Sequence, residues 1–249
     1  MAGSLRDRIS AAVCRALEPF PDVLAGWEGG SAAFDLIDTY SDIDLFFLVN
    51  DGASHDPLYA AVEDALRGLS PIVASHYVGR GRYYQLEQAG EYLLVDLCLL
   101  RVGEPDHYLD IERHGHVRPL FDKGDWLRVR RGDLAGVEIK RVQRCRELQA
   151  WFALSQGFVR KAIRRGRHAE ALATYWAATL KPLADLLRMV YCPARWDFGM
   201  RYMDRDLPPE VYRRFCELMF VQDLNDLETK LEAAGAWGTA LLNELGRDG

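Results

Sequence analysis

The sequence lacks any long hydrophobic run. Nowhere in its 249 residues do apolar side chains approach the roughly 18 consecutive positions of a membrane-spanning helix. The N-terminal segment carries charges at amphipathic spacing, unlike the continuous apolar core of a secretory signal. We therefore expect a globular protein that is located in the cytoplasm.

Cysteine is also scarce. The five cysteines are an odd number, stand far apart and form no C-x-x-C pair. This pattern argues against a disulfide framework and against a cysteine-based zinc site. We expect free, buried thiols.

A basic excess is missing too. The formal net charge is −6, whereas a surface built mainly to hold a nucleic-acid backbone would be basic. Segment 138–168 is the exception, because nine lysines and arginines stand there against two glutamates. Such a run is most often the solvated face of a helix, and the alternative is that part of it faces a triphosphate. Nucleic acid is disfavoured as a partner, and a compact or cationic substrate fits better.

The apolar pattern divides the chain into two parts. Up to about residue 130, short apolar runs alternate with helical stretches and turn residues, which is typical of α/β domains. From about residue 137, apolar residues recur at helical spacing, including 171–190 and 209–235. The polar stretch 130–133 suits a linker. We therefore predict two domains, residues 1–132 and 133–249, the second an all-α helical bundle. Strands are predicted at 23–28, 43–49, 72–78, 83–87, 92–100 and 118–121, and helices near 4–18 and 57–69.

Two aspartates stand at the start of an apolar strand. Alternate side chains of a strand share a face, so Asp42 and Asp44 point the same way while Ile43 and Leu45 point into the fold. Adjacent carboxylates repel each other unless a cation lies between them, and Mg²⁺ prefers oxygen ligands. The pair therefore predicts a magnesium site.

A glycine-rich turn precedes this pair. Gly29, Gly30 and Ser31 follow the predicted strand 23–28 and begin a short helical turn, with Ser31 as its cap. Glycine lets the backbone approach phosphate oxygens, and free N–H groups at a helix start favour an anion. We expect the turn to bind phosphate.

A third acid lies in the predicted strand 92–100. Asp96 is the only charge in that otherwise apolar strand, where an unpaired carboxylate is costly. It must therefore have a partner. A salt bridge to Arg101 or Arg80 is one explanation, and metal binding together with Asp42 and Asp44 is the one that we favour.

Together these residues resemble a known family. A Gly-Ser pair, ten intervening residues and Asp-x-Asp on an apolar strand, with a later Asp on another strand, are similar to the nucleotidyltransferase superfamily that shares the DNA polymerase β core. The match covers roughly the first half of the chain. The resemblance implies an α+β core with a mixed sheet. It also implies phosphate binding by Gly30 and Ser31, and catalysis with bound Mg²⁺ at Asp42, Asp44 and Asp96.

The order of the two parts is similar to that of the aminoglycoside and lincosamide nucleotidyltransferases. This resemblance implies transfer of a nucleoside monophosphate from an NTP, with ATP the first candidate, to a hydroxyl of a small molecule such as one of these antibiotics. Pyrophosphate would leave, and two Mg²⁺ ions would neutralise the charge on both sides of the phosphorus. The acceptor would lie between the two halves. The sequence leaves the acceptor, the preferred NTP and the oligomeric state open, a homodimer included.

Three basic residues are weaker candidates for nucleotide binding. Lys181 lies four residues before Asp185, so an i, i+4 salt bridge is the ordinary interpretation. The alternative is contact with the NTP phosphates, as helical-domain lysines make in related antibiotic-modifying transferases. Arg80 and Arg82 lie in segment 79–82, which lacks the G-x-x-x-x-G-K-[ST] spacing of a phosphate loop. We predict a hairpin turn there, from which either arginine could still reach the nucleotide.

Two other functions compete with this interpretation. One is an antitoxin-like nucleotidyltransferase that modifies or binds a protein partner. Such antitoxins are little more than the α/β domain, whereas this chain has about a hundred further residues. The other is RNA tailing or CCA addition, which the negative net charge and the lack of an interleaved basic and aromatic stripe disfavour.

Overall fold

The computed structural model describes residues 4–104, 109–128 and 134–247. The predicted linker at 130–133 lies outside them. The chain divides into two compact units, Met1–Gly132 and Asp133–Gly249. None of the helices in the described ranges has the length and hydrophobicity needed to cross a membrane.

The first unit is built around a six-stranded sheet with strand order β3-β4-β5-β2-β1-β6. Strands β2 and β5 are parallel, and the other described pairs are antiparallel. The sheet is therefore mixed, as predicted. Its elements are α1 (Leu5–Leu17), β1 (Val23–Glu28), β2 (Ile43–Val49), α2 (His55–Arg67), β3 (Ile72–Val78), β4 (Gly81–Leu86), β5 (Leu94–Arg101), α3 (Ile111–His114) and β6 (Arg118–Asp122).

Helices α1 and α2 pack against one face of the sheet. Ile43 and Leu45 of β2 and Val95 and Leu97 of β5 are fully buried in a core shared with these helices. Because side chains alternate along a strand, the even-numbered residues of β2 and β5 take the opposite face. That face carries the acidic residues predicted to be catalytic.

The observed strands agree closely with the predicted ones. Three predicted strands, 23–28, 43–49 and 72–78, have the observed bounds. Strand β4 begins at Gly81, two residues before the predicted start, because Val78 already pairs with Gly81 across the hairpin. The turn is short because Gly79 adopts a positive φ of 58°.

The second unit is entirely helical in its described part. Its helices are α4 (Leu134–Arg164), α5 (His168–Tyr175), α6 (Lys181–Tyr191), α7 (Met203–Asp206), α8 (Pro209–Met219) and α9 (Leu224–Leu245). The apolar pattern over 209–235 belongs to two helices, because Asp223 accepts hydrogen bonds from the N–H groups of Asn225 and Asp226 and so starts α9. The predicted α+β core followed by a helical domain is confirmed.

A buried arginine organises the segment between α6 and α8. The Arg188 side chain is fully buried. It donates to the carbonyl oxygens of Gly199, Arg195 and Arg201, and it pairs with the Asp206 carboxylate at 2.7 Å. These bonds satisfy a charge that would be costly to bury alone, and they hold the segment in place.

Candidate active site

Asp44 and Asp96 are direct neighbours on the sheet. The parallel register of β2 and β5 pairs Asp44 with Asp96, on the face that α1 and α2 leave uncovered. Both residues are only partly buried. The structure thus brings two of the three predicted catalytic acids together, although they are far apart in the sequence.

Each of these carboxylates occupies space that a side chain would fill if the neighbouring glycine were any other residue. Gly30 has a φ of 55°, and a Cβ there would overlap the carboxylate of Asp44. A Cβ on Gly81 would lie 2.7 Å from Oδ1 of Asp96. The predicted phosphate-binding turn is therefore in contact with Asp44, and β4 supplies a second glycine that the sequence did not single out.

Tyr83 completes this cluster. It pairs with Asp96 across β4 and β5, and its hydroxyl donates a hydrogen bond to the Asp96 carboxylate. Burial raises the pKa of Tyr83, and the hydrogen bond to Asp96 and the negative charges of Asp96, Asp44 and Asp42 raise it further. Tyr83 thus lies within electrostatic range of all three acids. Sequence reasoning missed it because its position opposite Asp96 depends on the register of β4.

Asp42 lies just before the part of β2 that pairs with β5. It precedes β2, and of the three aspartates it acts least on the Tyr83 hydroxyl. In the described ranges no three histidine, cysteine, aspartate or glutamate side chains are grouped so that they could hold a metal ion as they stand. The donor chemistry nevertheless fits Mg²⁺, which is commonly bound by one or two carboxylates, water and substrate phosphates.

The Ser31 hydroxyl is a buried polar group in the turn beside Asp44. Ser31 lies in the 3₁₀ helix Gly30–Phe34, directly after β1. Its Oγ is shielded from solvent and finds no hydrogen-bond partner among the described residues. Leaving a buried hydroxyl unsatisfied costs about 1–3 kcal/mol. Such a group is suited to donate to a ligand oxygen.

The structure does not bring Arg82 to the acids. Alternation along β4 turns Arg82 away from Tyr83 and towards α2, where it pairs with Glu63 at 2.5 Å and lies over the ring of Tyr77. This position does not support its predicted contact with the nucleotide. Arg80, in the hairpin turn, is half exposed and lies 3.7 Å from Glu104.

Lys181 begins α6 in the helical unit and is exposed. Its predicted partner Asp185 instead accepts two hydrogen bonds from Arg144 of α4, at 3.0 and 3.1 Å. The described ion pair of Asp185 is therefore with Arg144 and not with Lys181, although the charge of Lys181 also favours the ionised form of Asp185. Burial raises the pKa of Asp185, and the Arg144 guanidinium opposes this change.

Comparison with known proteins gives matches among solved structures alone. No protein-family model matches the chain, and no curated protein matches its sequence. The chain is similar to an aminoglycoside 6-adenyltransferase from Bacillus subtilis, with 11% identity and a TM-score of 0.34 over 96% of this chain and 88% of that one. It is also similar to a nucleotidyltransferase-like protein from Exiguobacterium sibiricum 255-15, with 16% identity and a TM-score of 0.36 over 97% and 75%.

A third similar structure is the CdnE cyclic dinucleotide synthase from Elizabethkingia meningoseptica, solved with GTP and Apcpp. It has 13% identity and a TM-score of 0.31 over 96% of this chain and 90% of that one. The structures similar to this chain thus include an aminoglycoside adenyltransferase, a nucleotidyltransferase-like protein and a cyclic dinucleotide synthase. At such low identities and TM-scores, the likeness does not assign an activity.

Proposed function

We propose that this chain is a nucleotidyltransferase, which moves a nucleoside monophosphate from an NTP to a hydroxyl of a small acceptor and releases pyrophosphate. The observation that supports this most is the adjacency of Asp44 and Asp96, with the Gly30 turn in contact with Asp44. A pair of carboxylates beside a glycine turn with an unsatisfied hydroxyl suits a metal-bound triphosphate.

Asp44 and Asp96 are the proposed Mg²⁺ ligands, with Asp42 as the third. Two Mg²⁺ ions would neutralise the charge that develops on the phosphorus oxygens during transfer. Mg²⁺ is usually bound by one or two carboxylates, with water and substrate phosphates completing its coordination. On this proposal the metal and the NTP bind together.

The chain's own residues then have distinct roles. Ser31 donates its hydroxyl to a phosphate oxygen, and Gly30 gives the phosphates access to the backbone. Tyr83, by donating to Asp96, fixes the direction in which that carboxylate's remaining lone pairs point. Asp96 either binds the ion nearer the acceptor or accepts the proton of its hydroxyl, and both roles require that orientation.

Among the basic residues, Arg80 is proposed as a phosphate ligand, and contact between Lys181 and the NTP stays a prediction. Lys181 is exposed at the start of α6, and the described ion pair of Arg80 is the long one to Glu104. As acceptor we propose a cationic or hydroxyl-rich molecule, such as an aminoglycoside or a lincosamide. The net charge of −6 supports this choice.

Pyrophosphate release tests the proposal directly. The full chain would be assayed with Mg²⁺, each of the four NTPs and a panel of aminoglycosides, lincosamides and sugars, with mass spectrometry of any product. We expect Asp44→Asn and Asp96→Asn to lower the rate by more than about a hundredfold, because even outer partners of metal ligands are worth about 10- to 100-fold.

Asp64→Asn is the matched control. Asp64 lies on α2, its side chain is 83% exposed, and its ion pair with Arg67 is long at 3.5 Å. The rate of pyrophosphate release by the Asp64→Asn variant should therefore equal that of the wild type. Without metal, Asp44→Asn should melt at or above the temperature of the wild type, because it removes one of two repelling charges. A melting temperature well below that of the wild type would show that the acids are structural and would refute the proposal.

A further inference from the structure

Two exposed tyrosines form a pair at the edge of the candidate site. Tyr40 is 69% exposed and Tyr92 is 55% exposed, yet their rings pack edge to face with centroids 5.4 Å apart. An edge-to-face pair leaves ring faces open to solvent. Leu36 and Ile37, 45% and 38% exposed, add apolar surface in the segment that leads to Tyr40.

The tyrosines precede the two parallel strands that carry the acids. The spacing that pairs Asp44 with Asp96 also relates Tyr40 to Tyr92. Tyr40 lies two residues before Asp42, and Tyr92 lies four residues before Asp96. The aromatic pair therefore lies just before the N-terminal ends of β2 and β5, the two strands that carry Asp44 and Asp96.

The turn that carries Tyr40 is held by several hydrogen bonds. The Asp38 carboxylate accepts from the Tyr40 N–H at 2.9 Å and from the Ser41 hydroxyl at 2.8 Å. The Ser41 hydroxyl accepts from the Asp38 N–H at 2.9 Å, and the Ser41 carbonyl accepts from the Arg6 guanidinium at 3.0 Å. A ring on a fixed turn loses little conformational entropy when a ligand stacks on it.

We propose that Tyr40 and Tyr92 form a platform on which a nucleobase stacks while its phosphates lie at the acids. The inference rests on the proposed function and goes beyond it by naming the residues that recognise the base. Stacking on tyrosine tolerates any base, and the larger face of a purine stacks more strongly. We therefore expect every NTP to bind, with ATP and GTP tighter than CTP and UTP.

The nucleobase could belong to the donor NTP or to an acceptor that is itself a nucleotide. Calorimetry with the full chain and Mg²⁺ distinguishes the two. In the donor arm, a non-hydrolysable ATP analogue is compared with inorganic tripolyphosphate, which has no base. In the acceptor arm, AMP is titrated into the protein that already holds the ATP analogue.

The variants separate the loss of a ring from other effects. Replacing both residues, Tyr40→Ala with Tyr92→Ala, removes the platform, whereas Tyr40→Phe with Tyr92→Phe keeps the rings. Tyr77→Ala is the control, because Tyr77 is 54% exposed in the same unit but contacts Tyr59 and Arg82 on the face that carries α2. Since both target rings are exposed, melting temperatures should stay close to that of the wild type.

The expected result is a loss of about 5- to 150-fold in affinity for the ATP analogue in the double alanine variant, because the base then has no ring on which to stack. Tripolyphosphate affinity should be unchanged, as should both affinities in the phenylalanine and Tyr77→Ala variants. A loss confined to AMP would assign the platform to a nucleotide acceptor and would equally support it.

Two results would overturn the platform and leave the proposed function intact. One is unchanged affinity for both the ATP analogue and AMP in the double alanine variant. The other is an equal loss for tripolyphosphate, which would mean that the phosphate site had changed instead. If the wild type bound neither tripolyphosphate nor the ATP analogue, the proposed function itself would fail, and the platform with it.

Discussion

At Gly30 the site tolerates no side chain. Its positive φ of 55° costs an L-residue about 1–2 kcal/mol. Independently, a Cβ at this position would overlap the Asp44 carboxylate. Backbone conformation and close approach therefore both require glycine at the point where the proposed phosphate-binding turn meets a proposed catalytic acid.

We expect Gly30→Ala to lower the free energy of unfolding by about 2–5 kcal/mol, the sum of the backbone penalty and the overlap. Displacement of Asp44 should also abolish Mg²⁺-dependent NTP binding. Gly79→Ala is the control, since Gly79 has a φ of 58° and a Cβ there would meet no described atom within 4 Å. It should cost about 1–2 kcal/mol and leave binding unchanged. Urea denaturation and calorimetry measure both effects, and equal losses in the two variants would contradict the overlap.

The residues that the sequence revealed differ in kind from those that it did not. Asp44 and Asp96 could be recognised because a charge in an apolar strand is conspicuous without knowledge of its neighbours. Gly81 and Tyr83 gain their importance only from the register of β4 against β5. A shift of one residue in this register would move the side chains of β4 to the opposite face of the sheet. In the observed register Arg82, which we predicted to reach the nucleotide, points instead towards α2.

At the scale of elements, the approach of α9 to α4 depends on a second glycine. A Cβ on Gly238 would overlap the ring of Phe152, which is almost fully buried on α4. Three residues earlier on the same helix, a Cβ on Gly235 would meet no described atom within 4 Å. The two glycines thus share a helix and differ only in what they face.

Gly235→Ala should stabilise the protein by up to about 1 kcal/mol, because alanine favours the helix. Gly238→Ala gains the same preference but must displace Phe152, at about 1–3 kcal/mol. We therefore expect the midpoint of urea unfolding to rise for Gly235→Ala. The midpoint for Gly238→Ala should be lower than that for Gly235→Ala, because displacing Phe152 costs free energy. Equal midpoints would indicate that the helices can move apart at no cost.

Helix positions in the second unit were predictable, whereas their partners were not. The apolar spacing indicated helices across 171–190 and 209–235, but not the break before Asp223, which depends on one side-chain cap. The local pattern also paired Lys181 with Asp185. In the structure Asp185 binds Arg144, which is 41 residues away, and such a contact leaves no local signal.

For the whole molecule, buried tyrosines make the free energy of unfolding depend on pH in the alkaline range. Burial raises the pKa of Tyr59 from 10.0 to about 12, and burial also raises the pKa of Tyr84 and Tyr175. Above pH 10 the unfolded chain therefore loses these protons while the folded chain keeps them. The contribution of these tyrosines to stability is fully present below pH 10 and falls as the pH rises, by at most about 1.4 kcal/mol per pH unit for each group.

Tyr59→Phe should make this decline shallower. The phenyl ring preserves packing in the core but has no proton to lose, so the slope of unfolding free energy against pH should decrease between pH 10 and about 12. Urea denaturation at a series of pH values gives the slope for both proteins. An unchanged slope would mean that Tyr59 ionises equally in the folded and unfolded chain.

The parallel pairing of β2 with β5 also determines the order in which the molecule can assemble. The hairpin of β3 and β4 closes over a two-residue turn. In contrast, β2 and β5 can pair only after α2, β3 and β4, which lie between them in the chain, have been synthesised. Contacts between distant segments form slowly because loop closure costs entropy first. During synthesis, Asp44 has no neighbouring Asp96 until β5 has left the ribosome. We expect the acid pair to be among the last parts of the sheet to gain protection from hydrogen exchange during refolding.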